Sequence, residues 1–188
     1  MEKEVLLNSW NYFRMIERDL DDTSQYIEPQ GQQNAYSLEF SKILVLACTE
    51  VESLFKLLCK EITGESVAGN IGKYKEVILG KYPKIIEATV SISRLNESLK
   101  PFEGWDNGPL SWWGAYQSVK HDRGKCFAQA TYRNAVESLS ALYVLLLYLF
   151  KICDNSEPSG QGIYLSSMYR AQMILARAPK ELPDFEGV

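Results

Sequence analysis

The most constraining feature of the chain is the run Ala141–Phe150, ten residues in which every side chain is apolar or aromatic. The flanking charges are Glu137 and Lys151, which leaves 13 uncharged positions between them. A membrane-spanning helix needs about 20 apolar residues. The run therefore predicts a helix, from about Phe127 to Cys153, buried in a bundle or against a second subunit.

A helix apolar on all sides must be surrounded by amphipathic partners. Leu6, Trp10, Phe13, Ile16 and Leu20 recur at helical steps and predict a first helix from about Glu2 to Leu20. Asp19, Asp21 and Asp22 crowd the end where the helix dipole disfavours negative charge, so fraying into the polar loop Thr23 to Asn34 is expected. A second helix is expected from about Ser37 to Ile62. Leu44, Ala47, Val51, Leu54 and Leu58 form its stripe, Glu52 and Lys56 an i,i+4 pair, and Gly64 its stop.

Between Thr63 and Pro109 the texture changes. Six of the twelve glycines fall there, with Pro83, Pro101 and Pro109, which disfavours long elements. A short helix fits Ile71 to Leu79, and another piece starts after Pro83. Val90 and Ile92 alternate with Ser91 and Ser93 and predict an extended piece, with Gly162 to Leu165 as a candidate partner. Asn107-Gly108-Pro109 predicts a turn, Ser111 an N-cap, Leu110 to Arg123 a helix and Gly124 its stop. The expected architecture is all-α, a bundle of about four to five helices with an irregular middle segment. Residues 1–153 form one domain. Residues 154–188 form a linker, Asp154 to Gly162, and a tail with an amphipathic stretch, Leu165 to Ala178, and an acidic, Pro-containing end.

Counts exclude several chemistries. A single histidine, His121, rules out zinc sites built from several imidazoles. The four cysteines, Cys48, Cys59, Cys126 and Cys153, form no C-x-x-C pair, and most sit in apolar helical segments. A reducing compartment, the cytoplasm, is expected, with no signal peptide. No metal or cofactor is called for. The charge balance, 20 Lys and Arg against 24 Asp and Glu, gives a net of −4 and no global field for nucleic acid. RNA contact requires a local basic patch.

One segment supplies such a patch. Trp112 to Arg123 leads from two tryptophans and Tyr116 into Lys120, His121 and Arg123, with Lys125 just beyond. An imidazole shuttles protons near neutral pH, Arg and Lys hold phosphate, and aromatic faces stack on bases. In a regular helix the three do not share one face: at about 100° per residue, His121 diverges from Lys120 and Arg123. They converge only if the helix unwinds near Gly124 or a second chain completes the site. The bland alternative is that cations in a last helical turn are stabilised by its free carbonyls, about 0.3–1 kcal/mol each, with Trp112, Tyr116 and Val119 as ordinary core. Glu50, among Leu46, Ala47, Ser53 and Leu54, is a carboxylate that needs a partner. It either orients His121 or reaches water at the edge of its stripe. Cys126, close to His121, is a weaker nucleophile candidate with no visible orienting residue.

The order of these segments resembles a known family. A helix Leu46-Ala47-Cys48-Thr49-Glu50-Val51-Glu52 is followed by Pro101-Phe102 and Trp105. Then come Trp113, Tyr116, Lys120, His121 and Arg123, and a long apolar helix. This resembles HEPN-like prokaryotic proteins, small all-α domains of toxin–antitoxin and phage-defence systems, over about Ser37 to Cys153. The resemblance implies a homodimeric bundle that binds RNA or a nucleotide. It also implies metal-independent ribonuclease activity and an antitoxin-like partner. The family's nuclease motif sets an Arg a turn or more before its His, where this chain has Gln117, Tyr116 and Ala115. The carry-over is to His121, with Arg123 downstream.

On these grounds His121 is the candidate general acid or base, and Lys120 and Arg123 the phosphate stabilisers. Glu50 orients the cluster, and Trp113, Tyr116 and Lys125 contact substrate. The rival expectation is a non-catalytic interaction module in which the Lys-His-x-Arg segment is a fold-stabilising polar network.

Overall fold

The computed structural model describes residues 3–67, 69–92, 97–155 and 182–185. Five helices carry the architecture: α1 (Lys3–Thr23), α2 (Leu38–Thr63), α3 (Ile71–Lys81), α4 (Ser111–Cys126) and α5 (Tyr132–Asn155). The protein is an all-α bundle, with one small hairpin among the described residues. α2 lies against α5, α1 packs on both, α3 packs on α2, and α4 packs on α2 and α5.

Every side chain from Ala141 to Phe150 is buried within this one chain. Tyr132–Cys153 is long and apolar enough to cross a membrane, yet most of it is covered by the rest of the bundle. The apolar run is thus accounted for by packing on α1, α2 and α4, without a second subunit.

Local sequence explains most boundaries. Ser37 adopts extended backbone and its hydroxyl accepts from Phe40 N–H, capping the start of α2. Gly64 at φ 78° ends that helix in the left-handed conformation, its N–H donating to the Lys60 carbonyl. Helix α1 runs on to Thr23 instead of fraying at its aspartates. Lys42 of α2 pairs with Asp19 at 3.0 Å, and the Thr23 hydroxyl donates to the Leu20 carbonyl at 2.6 Å.

In the middle segment, α3 is followed by a 3₁₀ turn, Pro83–Glu87, and a hairpin of β1 (Val90–Ile92) and β2 (Glu97–Leu99). The register pairs Val90 with Leu99 and Ile92 with Glu97, so the partner of the extended piece is local. Residues 162–165, proposed for that role, lie outside the described residues, as do most of the linker and the stretch 165–178. Ser111 is the first residue of α4, not its cap. Leu110 takes the cap position with no side-chain bond, and the Ser111 hydroxyl donates to Glu137 of α5 at 3.3 Å. The expected final helix is divided: Phe127–Gln129 forms a 3₁₀ turn and α5 begins at Tyr132.

Aromatic rings fill two regions of the core. Trp10, Phe13, Tyr143 and Phe150 join α1 to α5. On the other side Phe55 of α2 is a hub, with ring centroids 5.2 Å from Trp105, 6.0 Å from Tyr74, 6.1 Å from Trp113 and 6.2 Å from Phe102. Trp112 closes this group, its indole N–H donating to the Pro101 carbonyl at 2.8 Å. Gly104, at φ 73°, allows the turn that brings Phe102 and Trp105 to the same hub.

Candidate functional site

Helix α4 is not continuous. Asp122 has φ −146° and ψ 72°, outside the helical region, and the chain becomes helical again after it. The Asp122 carboxylate stabilises the break. It accepts from Lys125 N–H at 3.2 Å, as an N-cap does, and pairs with the Lys125 ammonium at 3.4 Å. Gly124, the expected stop, lies inside the short helical turn that follows. The interruption comes two residues earlier because an aspartate offers its own carboxylate to the freed backbone, which glycine cannot do.

This break decides where the predicted site residues lie. Lys120 and His121 end the first part of α4, and Arg123 and Lys125 begin a turn whose direction the regular helix no longer sets. All four side chains are exposed. Among the described residues, neither the His121 nor the Arg123 side chain makes a hydrogen bond or ion pair. Lys120 donates to the Tyr116 hydroxyl at 3.0 Å and lies 5.2 Å from that ring's centroid. Its ammonium is held above the ordinary lysine value, first by the bond to Tyr116 and then by the charge of that phenol, with a smaller contribution from Glu52.

The carboxylate on this side of α2 is therefore Glu52, ion-paired with Lys56 at 2.9 Å. Glu50 is two residues away, about 200° around the helix. Its charge acts on Tyr12 of α1, whose phenol is held above its ordinary value by burial and then by Glu50. The expectation that Glu50 orients His121 is corrected on this ground: helical phase turns it toward α1.

Trp113 and Tyr116 also change role. Trp113 is 7% exposed and Tyr116 1%, and both rings are packed in the Phe55 group and against each other at 5.2 Å. Their faces are used by the core and are not open to a base. An aromatic surface near the basic turn comes from elsewhere. Tyr36, 54% exposed, meets Phe127 edge to face at 5.4 Å, and Phe127 follows Lys125 by two residues. The contact is held by a non-local tie. Tyr36 bridges Thr131, Ser37 N–H donates to the Ala130 carbonyl, and Tyr132 N–H donates to the Ala35 carbonyl. Nothing in the local sequence around Tyr36 signals this partner; only the folded chain joins the two segments.

Cys126 is half-buried, and no proton acceptor or donor pair converges on it among the described residues. Cys48 and Cys59 are buried thiols. Burial pushes Cys48 well above the ordinary value and Cys59 up to about 11, so both are protonated at neutral pH. No group of three or more His, Cys, Asp or Glu side chains placed to hold a metal occurs among the described residues.

Two concavities lie away from His121. One, about 450 Å³, is bordered by Lys100, Ser111, Trp112 and the Arg133–Glu137 pair. The other, about 330 Å³, lies between the end of α1 and the start of α2, beside Asp19, Tyr26 and Phe40. The basic turn itself is an exposed group of cations, and just beyond it half-buried Phe127 meets exposed Tyr36. Cations and an exposed ring edge are the groups that charge and stacking contacts with a polyanion require. Comparison with protein-family models, with curated proteins and with solved structures yields no match to this chain.

Proposed function

We propose that the protein is an HEPN-like, homodimeric RNA-binding domain whose phosphate-contacting surface is the broken end of α4. Lys120, His121, Arg123 and Lys125 hold phosphates, and Tyr36 with Phe127 offers a stacking edge. The observation that carries the proposal is the Asp122 break, which leaves four exposed basic side chains within six residues in a chain whose net charge is negative. In that setting the domain works in the cytoplasm with an antitoxin-like partner, in a stress or phage-defence role.

Metal-independent RNA cleavage is the catalytic form of this proposal. His121 then acts as general acid or base on the 2′-hydroxyl or the leaving oxygen, and Arg123 and Lys120 stabilise the charge that develops on phosphorus. In that form a second copy supplies the opposing group. The turn of Glu50 toward α1, away from His121, favours binding over cleavage.

The test is anisotropy of a labelled single-stranded RNA at several salt concentrations, beside a cleavage assay with and without chelator. Binding should weaken steeply with salt, and Lys120→Ala/Arg123→Ala should lower the log–log slope by about 1–2. Equal affinity and slope in the double variant overturn the proposal. Cleavage that persists in chelator and disappears in His121→Ala establishes the catalytic form.

A further inference from the structure

The chain's last described residues, Leu182–Phe185, return to the bundle although they lie far from it in sequence. Pro183–Phe185 forms a 3₁₀ turn seated against Pro83–Glu87 and the C-terminal half of α5. Both carboxylate oxygens of Asp184 are engaged. Oδ1 accepts from the Lys84 backbone N–H at 2.9 Å, and Oδ2 accepts from the Tyr148 hydroxyl at 2.7 Å. The Phe185 ring lies 5.4 Å from both Tyr82 and Tyr148, which are themselves 5.4 Å apart edge to face. Leu182 and Phe185 are half-buried against the core.

This is the anatomy of a peptide site: an aromatic pocket for one anchor and two convergent donors for a neighbouring carboxylate. The wall of the slot is made of core side chains. Tyr148 is fully buried on α5, Ile85 is fully buried and Tyr82 nearly so. Tyr148 is one of two tyrosines in the apolar stretch Ala141–Phe150. A phenol buried there is costly without a partner, and the partner is a side chain from the end of the chain. Burial, followed by the hydrogen bond and charge of Asp184, holds that phenol far above its ordinary value.

We propose that the surface formed by Tyr82, Lys84 and Tyr148 is a recognition slot for short peptides carrying Pro-Asp-Phe, and that the chain's own residues 182–185 fill it in cis as a strap. The ligand class is an extended or single-turn segment with an aspartate directly before an aromatic residue and an apolar residue upstream. The slot is independent of the basic turn of α4, so its test does not depend on RNA binding.

The experiment uses the full chain. In one variant, Asp184→Ala/Phe185→Ala, the strap loses both anchors while the slot is unchanged. A labelled peptide of residues 180–188 is titrated into this variant and into the wild-type chain. The peptide should bind the variant at least ten-fold more tightly, because the wild-type slot is occupied. Adding Tyr148→Phe, which keeps the ring and removes the donor, should weaken peptide binding about ten-fold. Equal binding to wild-type and variant, or no binding to either, overturns the proposal.

A second measurement guards against a variant that fails to fold. Tyr148→Phe in the otherwise intact chain should speed removal of Phe185 by carboxypeptidase several-fold, and an unchanged rate overturns the proposal. A wild-type dimer that Asp184→Ala converts to monomer assigns the strap to a second copy and overturns occupancy in cis.

Discussion

The two halves of α4 belong to one stretch of sequence but do different work. The first, with Trp112, Trp113, Tyr116 and Val119, is buried, with Trp113 against Phe55 and Trp112 against Phe102. The second, from Lys120 to Lys125, is exposed throughout and interrupted at Asp122. An aromatic and basic motif suggests a single binding device when seen as letters. Folded, it separates at Val119 into an anchor that holds the helix and a cationic surface that the anchor presents. The aromatic contribution to the surface comes instead from Tyr36 and Phe127, which belong to other elements.

The largest expected effect tests the anchor. Trp112→Ala removes a buried indole and its bond to Pro101, and should cost about 3–5 kcal/mol in urea unfolding. A loss below about 1 kcal/mol would mean that the aromatic half of α4 is not core, and the contrast between the halves would fail.

On the surface side, Tyr36→Ala should lower RNA affinity, since a stacked base contributes about 1–3 kcal/mol. Its unfolding midpoint should stay near wild type because the ring is mostly exposed. Tyr116→Phe should leave RNA binding nearly unchanged. The reverse pattern would return stacking to the buried ring.

The break between the halves is tested by Asp122→Ala, which removes an N-cap acceptor and should cost about 1 kcal/mol of stability. Asp122→Asn should recover most of it, because an amide oxygen also caps. Equal stability of all three chains would show that the capping bond does not hold the break.

The buried thiols give a dependence on pH. Cys48 and Cys59 have raised values in the folded chain, so the native state holds their protons more tightly than the unfolded chain. Their contribution is fully present below the unfolded thiol value and is lost as pH rises above it, for Cys59 through about 11. Stability should therefore fall between pH 9 and 11, and a thiol reagent at neutral pH should label Cys126 well before Cys48 or Cys59. The smallest effect is expected of Glu52→Gln. Its pair with Lys56 is largely exposed and should contribute less than about 1 kcal/mol in thermal unfolding.

Periodicity and punctuation made much of the fold legible. The stripe from Leu44 to Leu58 and the stop at Gly64 place α2 correctly, because a helix phase and a left-handed cap are local properties. The buried course of Ala141–Phe150 follows from its composition alone. The strand 97–99 is not legible in sequence because Glu97-Ser98-Leu99 carries a single apolar residue, and its pairing is decided by the register with Val90–Ile92. The candidate site was half legible. Lys120, His121, Arg123 and Lys125 were visible as a cluster of charge, and the chain does expose them. Glu50 and Trp113 were assigned by adjacency, whereas helical phase and burial direct them to other neighbours.

By itself, the sequence determined that the chain is helical, which helix must be central, and where cations gather. These depend on side-chain period and composition, which act over a turn or two. Tertiary structure decided which ring faces are spent in the core, which glutamate of α2 faces α4, and that Tyr36 meets Phe127. It also decided that Asp184 reaches Tyr148. Each of these joins residues distant in sequence, and their pairing depends on how whole elements pack, which no local pattern encodes.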